Sequence, residues 1–307
     1  FGTFEVADSY RLEQSGELLL SFRLRKLHMP DCHIYCKNLE DAMNVTLKLH
    51  DKIYEEIGKL GRDYVSVYNI TQSFLDSHKD YVMKLVKRER KAVLLNFVPE
   101  GIYYWVLNIE YHIIDELERP REIATFQIDM GNAKRFAISY VDEKGAKEFP
   151  PIIHTAVIGS IERYLFTVLD QCARIERQGG KPSLPIWLSP TQVRVIPIKP
   201  EFLAYTTQVI DQLALSNIRA DIDDRAESVD KRVRDAELNW IPYIAVVGKR
   251  ELAANSVTIR RRSDGKQYTT EIADLQKEIL SSTAGYPKVP LKLPVKVSQR
   301  PGYKQLN

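Results

Sequence analysis

Residues 150–169 carry an apolar run, Pro150-Pro151-Ile152-Ile153-His154-Thr155-Ala156-Val157-Ile158, then Gly159-Ser160, then a pattern of helical period that includes Arg163. A strand that enters a helix through a Gly-Ser turn leaves free backbone N–H groups at the helix start. Arg163 on the first turn adds a fixed positive charge, so the block suits a phosphate. Ile161, Leu165, Val168 and Leu169 share one helical face, which predicts the core side of that helix. Upstream, Tyr10-Arg11-Leu12-Glu13-Gln14-Ser15-Gly16 and Phe22-Arg23-Leu24-Arg25 read as two antiparallel strands joined by a loop. Period-two alternation then projects Arg11 with Glu13, and Arg23 with Arg25, while Tyr10 and Leu12 turn to the core. An arginine held over a phosphate stabilises charge that develops there during group transfer. Taken separately, these blocks read as a core helix and a surface ion pair.

Further along, Arg121-Glu122-Ile123-Ala124-Thr125-Phe126-Gln127-Ile128-Asp129-Met130 alternates, with Thr125, Gln127 and Asp129 on one face and Phe126, Ile128 and Met130 on the other. This predicts a strand with one polar face, a pattern common to half-solvated antiparallel sheets. Positions Val45, Leu49, Ile53, Ile57 and Leu60 predict a packing helix over residues 39–60. The stretch 84–91 holds Lys84, Lys87, Arg88, Arg90 and Lys91 against the single acidic Glu89. It reads as a solvated helix face that could also meet RNA.

Together these blocks resemble the class II aminoacyl-tRNA synthetases. Residues 150–169 are similar to their motif 3 and Tyr10–Arg25 to their motif 2. Within the class the chain most resembles the threonyl-tRNA synthetase family of archaeal type, nearly end to end, on Pro30-Asp31-Cys32-His33-Ile34-Tyr35 and Ile153-His154-Thr155-Ala156. The resemblance implies that Arg11, Arg23 and Arg163 hold ATP phosphates, that Glu13 helps place the adenine, and that magnesium bridges phosphate oxygens. It implies that His33 and His154 ligate a zinc ion which receives the amino and hydroxyl groups of threonine, with Asp31 accepting a hydrogen bond from that hydroxyl. Three protein ligands would leave open coordination sites for substrate. The family's cysteine ligand matches no position here, and strand alternation turns Cys32 and Cys36 away from the face of His33. Glu122, Thr125 and Gln127 are expected to line the threonine and ATP pocket. Trp105 and Asn108 stand where the family more widely has a tyrosine and a lysine near the substrate, so Trp105 is expected at the substrate pocket. Motif 1, which builds the family's dimer interface, finds no match, so the sequence reads as the C-terminal portion of a longer, homodimeric enzyme.

Composition agrees without pointing there. With 307 residues, 44% of them hydrophobic, the chain can bury a substantial core. A net charge of +3 leaves any RNA binding to local patches. Three cysteines, an odd number, favour a reducing cytoplasm over a disulfide framework. No run reaches the length of a membrane span, and no signal-peptide pattern opens the sequence.

Breaker residues at Gly179-Gly180-Lys181-Pro182-Ser183 predict two domains, 1–183 and 184–307. Fold class is α/β: the class II antiparallel sheet with flanking helices, followed by a three-layer α/β domain. In the second part, strand patterns at 193–198, 218–222, 241–247 and 257–260 alternate with helical patterns at 201–214 and 228–239. It resembles the anticodon-binding domain of several class II synthetases. That resemblance implies anticodon contacts from Asp224, Glu251 and Arg260, whose carboxylates and guanidinium suit base edges. Arg260-Arg261-Arg262 would also attract phosphate. From Gly285 onward, Lys288, Lys292, Lys296, Arg300 and Lys304 with four prolines and no acid predict an extended basic arm that packs on the domain or lies along tRNA.

The expected function is therefore ATP-dependent ligation of threonine to its tRNA. Serine differs from threonine by one methyl, worth about 1–3 kcal/mol, so a separate editing activity is also expected, in further N-terminal sequence or in another protein. A non-catalytic tRNA-binding or regulatory protein derived from a synthetase is the rival. Prolyl and glycyl synthetases share the domain plan but do not account for the two histidines.

Overall fold

Alternation along the strand Pro120–Asp129 sets the pattern for the first part of the chain. In the computed structural model, which describes residues 1–301, Phe126 and Ile128 are fully buried while Thr125 and Gln127 on the other face stay half-buried. The chain divides into two compact units, Phe1–Arg174 and Ile175–Asn307. Lys304 of the basic arm lies outside the described residues.

The first unit runs β1 (Gly2–Tyr10), β2 (Lys26–Tyr35), α1 (Leu39–Lys59), β3 (Val65–Thr71), α2 (Gln72–Ser77), α3 (Lys79–Glu89), β4 (Leu94–Val98), β5 (Trp105–Ile114), β6 (Pro120–Asp129), α4 (Asn132–Arg135), the short pair β7 (Tyr140–Val141) and β8 (Lys147–Glu148), β9 (Ile152–Ala156) and α5 (Ile161–Arg177). Seven strands form one sheet in the order β1-β2-β9-β6-β5-β3-β4, antiparallel throughout except for β3 beside β4. Register decides which face is which. Ile34, Ile153, Ile128, Leu107, Ile70 and Phe97 are successive cross-strand partners; all but Phe97, which is exposed at the sheet edge, pack with Ile53 and Ile57 of α1 and Tyr81 and Leu85 of α3. Burying such a row drives the sheet and its helices together.

Helix α1 begins where the Asn38 side chain accepts from the Asp41 amide at 2.8 Å, an N-cap. Val45 and Leu49 pack at the margin of the core, as the spacing predicts, but Ala42, Thr46 and His50 are more deeply buried. The polar pair is tolerated because each finds a partner: Thr46 Oγ1 lies 2.6 Å from the Tyr81 hydroxyl, and His50 Nδ1 lies 2.6 Å from that of Tyr111. Nearby, the buried Glu89 carboxylate accepts from the hydroxyls of Tyr64, Ser66 and Tyr68 at 2.5, 2.9 and 3.1 Å.

Burial pushes the His50 pKa below its ordinary 6.5, against the pull of the Glu89 and Asp51 charges and with Arg88 lowering it further. The folded chain thus resists a proton that the unfolded chain accepts. Stability from this group is full above about pH 6.5 and is lost as pH falls toward the lower folded value. His50→Phe should flatten the fall in the urea midpoint between about pH 7 and pH 5; equal slopes in the two proteins would contradict the assignment.

Two expectations are corrected. Strands β1 and β2 stop at Tyr10 and Lys26, so Arg11, Glu13, Arg23 and Arg25 lie in the 11–25 connection. Pairing ends after the Arg11 amide reaches the Arg25 carbonyl at 2.8 Å, because the Glu13 amide turns back to the Arg11 carbonyl. Glu13 is then the buried residue, while Tyr10 is 71% and Leu12 100% exposed. The core side of α5 is also different: Thr167, Val168 and Cys172 are buried, whereas Ile161, Leu165 and Leu169 face outward. Arg163, paired with Glu122 and lying over the Phe22 ring, is on the inward side.

The second unit contains β10 (Val193–Pro197), α6 (Leu203–Leu215), β11 (Ala220–Ile222), α7 (Val229–Leu238), β12 (Tyr243–Val247), α8 (Lys249–Ala253), β13 (Ser256–Arg261), β14 (Gln267–Glu271) and α9 (Ile272–Ser282). Its sheet order is β11-β10-β12-β13-β14, parallel across the first three strands and antiparallel beyond. Val193 and Val195 pack against Val209 of α6 and Leu275 of α9. Ile196 and Ile244 pack with Ala236 of α7 on the opposite face, so the unit has three layers. The basic arm folds back onto it: the Ile222 amide donates to the Val295 carbonyl at 2.8 Å, and Arg300 pairs with Asp221 at 2.8 Å.

Candidate functional site

One row away from the apolar row, the cross-strand partners are Thr3, His33, His154, Gln127, Asn108, Asn69 and Asn96. Every strand of the sheet contributes one polar side chain, and directly opposed residues share a face. The two histidines lie side by side, with ring centroids 4.8 Å apart. Asp31, two residues before His33 on the same face, has its carboxylate 3.8 Å from His33 Nε2. Thr125 donates to Asn108 Oδ1 at 3.0 Å and Asn108 donates to Glu110 at 3.0 Å, which extends the polar face toward β3.

Asp129 anchors this group. Its fully buried carboxylate accepts from the Gly131 and Asn132 amides and from the Asn132 side chain, and lies 2.8 Å from His154 Nε2. Burial raises its pKa, but hydrogen bonds from His154, Asn132 and Gly131 outweigh that and hold it below the ordinary 3.8. A carboxylate engaging one imidazole nitrogen and leaving Nδ1 for another partner is the arrangement seen behind metal-ligating histidines. His33 and His154 thus offer a pair of imidazoles, and no group of three or more His, Cys, Asp or Glu residues that could hold a metal ion occurs among the described residues.

Tyr104 belongs to the site and was missed by sequence reasoning. Its hydroxyl donates to Gln127 Oε1 at 2.7 Å and its ring lies edge-on to His154 at 5.6 Å. Burial, with the Asp129 charge, pushes its phenol pKa up, so it remains a neutral donor. Trp105 is instead stacked on Tyr103 at 4.5 Å and buried. A run of three aromatic residues offered no local signal for which of them faces the pocket.

The arginine side of the site is built on Phe22. Arg163 lies over the Phe22 ring at 4.6 Å, donates to the Phe22 carbonyl at 3.3 Å, and pairs through Nη1 with Glu122 at 2.9 Å. Glu122 reaches this position through a bulge. Register slips between Tyr111–Ala124 and His112–Glu122, so Ile123 and Ala124 both enter the core and Glu122 turns to the polar side. Gly159 precedes the helix at φ +64°, and a Cβ there would lie 2.7 Å from the Ile123 carbonyl oxygen, so only glycine allows this approach. Ser160 Oγ then accepts from the Arg163 amide at 3.1 Å. In the 11–25 connection, Arg23 Nε donates to Glu13 at 2.8 Å and Arg25 Nε to the Glu13 carbonyl at 3.2 Å, while Arg11 is exposed. Arg23, Arg25 and Arg163 are thus each held by carboxylates or backbone carbonyls of this chain.

Residues 2–172 match the family model described as tRNA synthetase class II core domain (G, H, P, S and T), and residues 192–282 match the anticodon binding domain. The chain belongs to the class II tRNA synthetases. The threonine–tRNA ligase of Thermofilum pendens is 60% identical over 303 residues, covering 99% of this chain and 50% of that protein. That of Pyrobaculum aerophilum is 55% identical over 301 residues, covering 98% and 49%. The chain thus spans about half the length of these relatives. It is also similar to the crystal structure of the RNA binding domain of threonyl-tRNA synthetase from Cryptosporidium parvum Iowa II, with a TM-score of 0.79 and 26% identity over 93% of this chain and 70% of that one. No helix among the described residues of this class II synthetase is long and apolar enough to cross a membrane.

In its anticodon-binding domain, Glu251 accepts from the Gly248 amide at 2.9 Å and from Thr258 Oγ1 at 2.8 Å. Thr258 and Arg260 are two apart on β13 and share a face, so Glu251 and Arg260 approach the same side of the sheet. Arg260 pairs with Glu237 at 2.7 Å, and Asp224 accepts from the amide and hydroxyl of Ser298 at 3.0 and 2.7 Å. Arg261 is engaged by Asp264 and Glu278, and Arg262 by the carbonyls of Pro182 and Glu237. The basic triplet therefore enters any RNA contact only by exchanging these partners.

Proposed function

We propose that the chain is the catalytic part (1–183) and the anticodon-binding part (184–307) of a threonine–tRNA ligase, in which the threonine carboxylate displaces pyrophosphate from ATP to form an adenylate, and the threonyl group then passes to the 3′ end of its tRNA as AMP leaves. The observation that supports this most is the placement of His33 and His154 as direct cross-strand partners with Asp31 and Gln127 beside them. A zinc ion held in part by these histidines would supply a Lewis acid that senses the amino and hydroxyl groups of threonine. Asp31 would accept from that hydroxyl, and Gln127, Thr125 and Glu122 would orient the amino acid and nucleotide. Arg11, Arg23 and Arg163 would hold ATP phosphates, with Glu13 placing the adenine and magnesium neutralising the phosphate charge. No side chain need act as a nucleophile, since positioning and charge stabilisation can carry activation.

Asp224, Glu251 and Arg260 would read anticodon bases once freed from their internal partners. A homodimeric, cytoplasmic full-length enzyme with separate clearance of seryl-tRNA completes this reading. The test is ATP–pyrophosphate exchange with threonine, serine, valine and proline in parallel. Threonine should support exchange, serine should trail it by roughly 10–200-fold, and valine should fail almost completely, because its methyl leaves hydroxyl-recognising groups unpaired. Exchange with none of them, alongside retained binding of threonine tRNA, would favour the non-catalytic tRNA-binding reading.

A further inference from the structure

On the helical side of the first unit, the outer faces of α1 and α3 enclose a groove of about 470 Å³. Lys84, Lys87, Arg88 and Arg90 line it from the α3 side, and His50 and Asp51 from α1. We infer that this groove binds the phosphodiester backbone of an RNA strand, a second RNA contact apart from the anticodon-binding domain. The inference rests on the proposed tRNA ligase reading, which makes RNA the polyanion this chain meets.

Three observations carry it. The first is charge: Asp51 is already engaged by Arg88 Nε at 3.1 Å, while Lys84, Lys87 and Arg90 have no ion pair among the described residues. Cations in the last turn of a helix complement its dipole, which accounts for Lys87 and Arg88 but leaves Lys84 and Arg90 in excess. Lys91, by contrast, is withdrawn from the cluster by Asp63 and by the Tyr64 ring and carbonyl.

The second observation is His50. Its ring is 1% exposed, its Nδ1 is engaged by Tyr111, and its Nε2 has no hydrogen-bond partner although it is buried beside the groove. A buried polar atom left unpaired costs about 1–3 kcal/mol, and a phosphate oxygen at the groove floor would accept from it. The third is backbone: α3 ends at Arg90 with φ 55°, in the left-handed region where glycine or asparagine is usual. Leu20, Glu118, Ala137 and Trp240 share this conformation, so it marks the helix end and sets Arg90 at the lining of the groove.

Such contacts are independent of sequence and sensitive to salt. The test is binding of the whole chain to a threonine tRNA transcript and to an unrelated tRNA, across a series of KCl concentrations. A Lys87→Ala/Arg90→Ala double variant changes two exposed side chains, and a Lys144→Ala/Lys147→Ala variant serves as a control of equal net charge. The groove variant should weaken binding to both tRNAs by a similar factor, about tenfold or more, and reduce the slope of log K against log salt by about 2. The control should do neither. Parental affinity and slope in the groove variant, with the parent chain binding tRNA, would overturn the groove alone. Failure of the parent chain to bind tRNA at all would overturn the ligase reading and this inference with it.

Discussion

Arg163→Ala, in a form of the protein that supports threonine-dependent exchange, should lower kcat for ATP–pyrophosphate exchange by about 10²–10³-fold. The expectation follows from what holds the guanidinium. One side lies on Phe22, Nε donates to the Phe22 carbonyl, and Nη1 pairs with Glu122, so the charge is fixed before any nucleotide arrives. A prepositioned cation needs little reorganisation when charge develops on the phosphate, which is why its loss should appear mainly in kcat. Arg163→Lys should recover only part of the rate, because an ammonium cannot stack flat on Phe22 or present a planar fork. Exchange at the parental rate in Arg163→Ala would remove the residue from the proposed mechanism.

Asp221→Ala should produce the largest loss of stability, about 3–5 kcal/mol in the second unit. The Asp221 carboxylate is fully buried and receives two hydrogen bonds from Arg194, each 2.9 Å, one from Thr191 at 3.1 Å, and an ion pair from Arg300 at 2.8 Å. Removing it strands the buried Arg194 guanidinium without compensation, and this penalty exceeds the value of the contacts themselves. Replacing the most buried of its cationic partners as well should therefore cost less: Asp221→Leu/Arg194→Met is expected to recover much of the loss, with the lost Arg300 pair remaining. Urea unfolding followed by Trp187 and Trp240 fluorescence measures both variants. A double variant as unstable as Asp221→Ala would show that the stranded charge is not the cause.

The sequence by itself determined what repeats over short distances. Alternation at 121–130 assigned Thr125 and Gln127 to the polar face of β6, since successive strand residues point to opposite sides whatever surrounds them. Helical spacing found α1, and Gly159-Ser160 marked the start of α5. The motifs around His33, His154, Asp31 and Arg163 are local strings, so the sequence singles these residues out as candidates.

Tertiary structure alone decided where those residues meet. No local rule opposes His33 to His154, which are more than a hundred residues apart; burial of the Ile34–Ile153–Ile128 row selects that register, and a slip of one residue would turn the histidines into the core. Strand alternation failed for residues 11–25 because a connection follows its contacts, and Glu13 is drawn inward by Arg23 and Arg25. Spacing does not give the rotation of α5, because three of its apolar residues face outward while Arg163, held by Glu122, lies inward. Tyr104, rather than its aromatic neighbours, reaches Gln127 because residues 99–104 lie outside any strand and obey no period. Periodicity fixes direction within an element, whereas register, rotation and loop path come from the burial and pairing of distant groups.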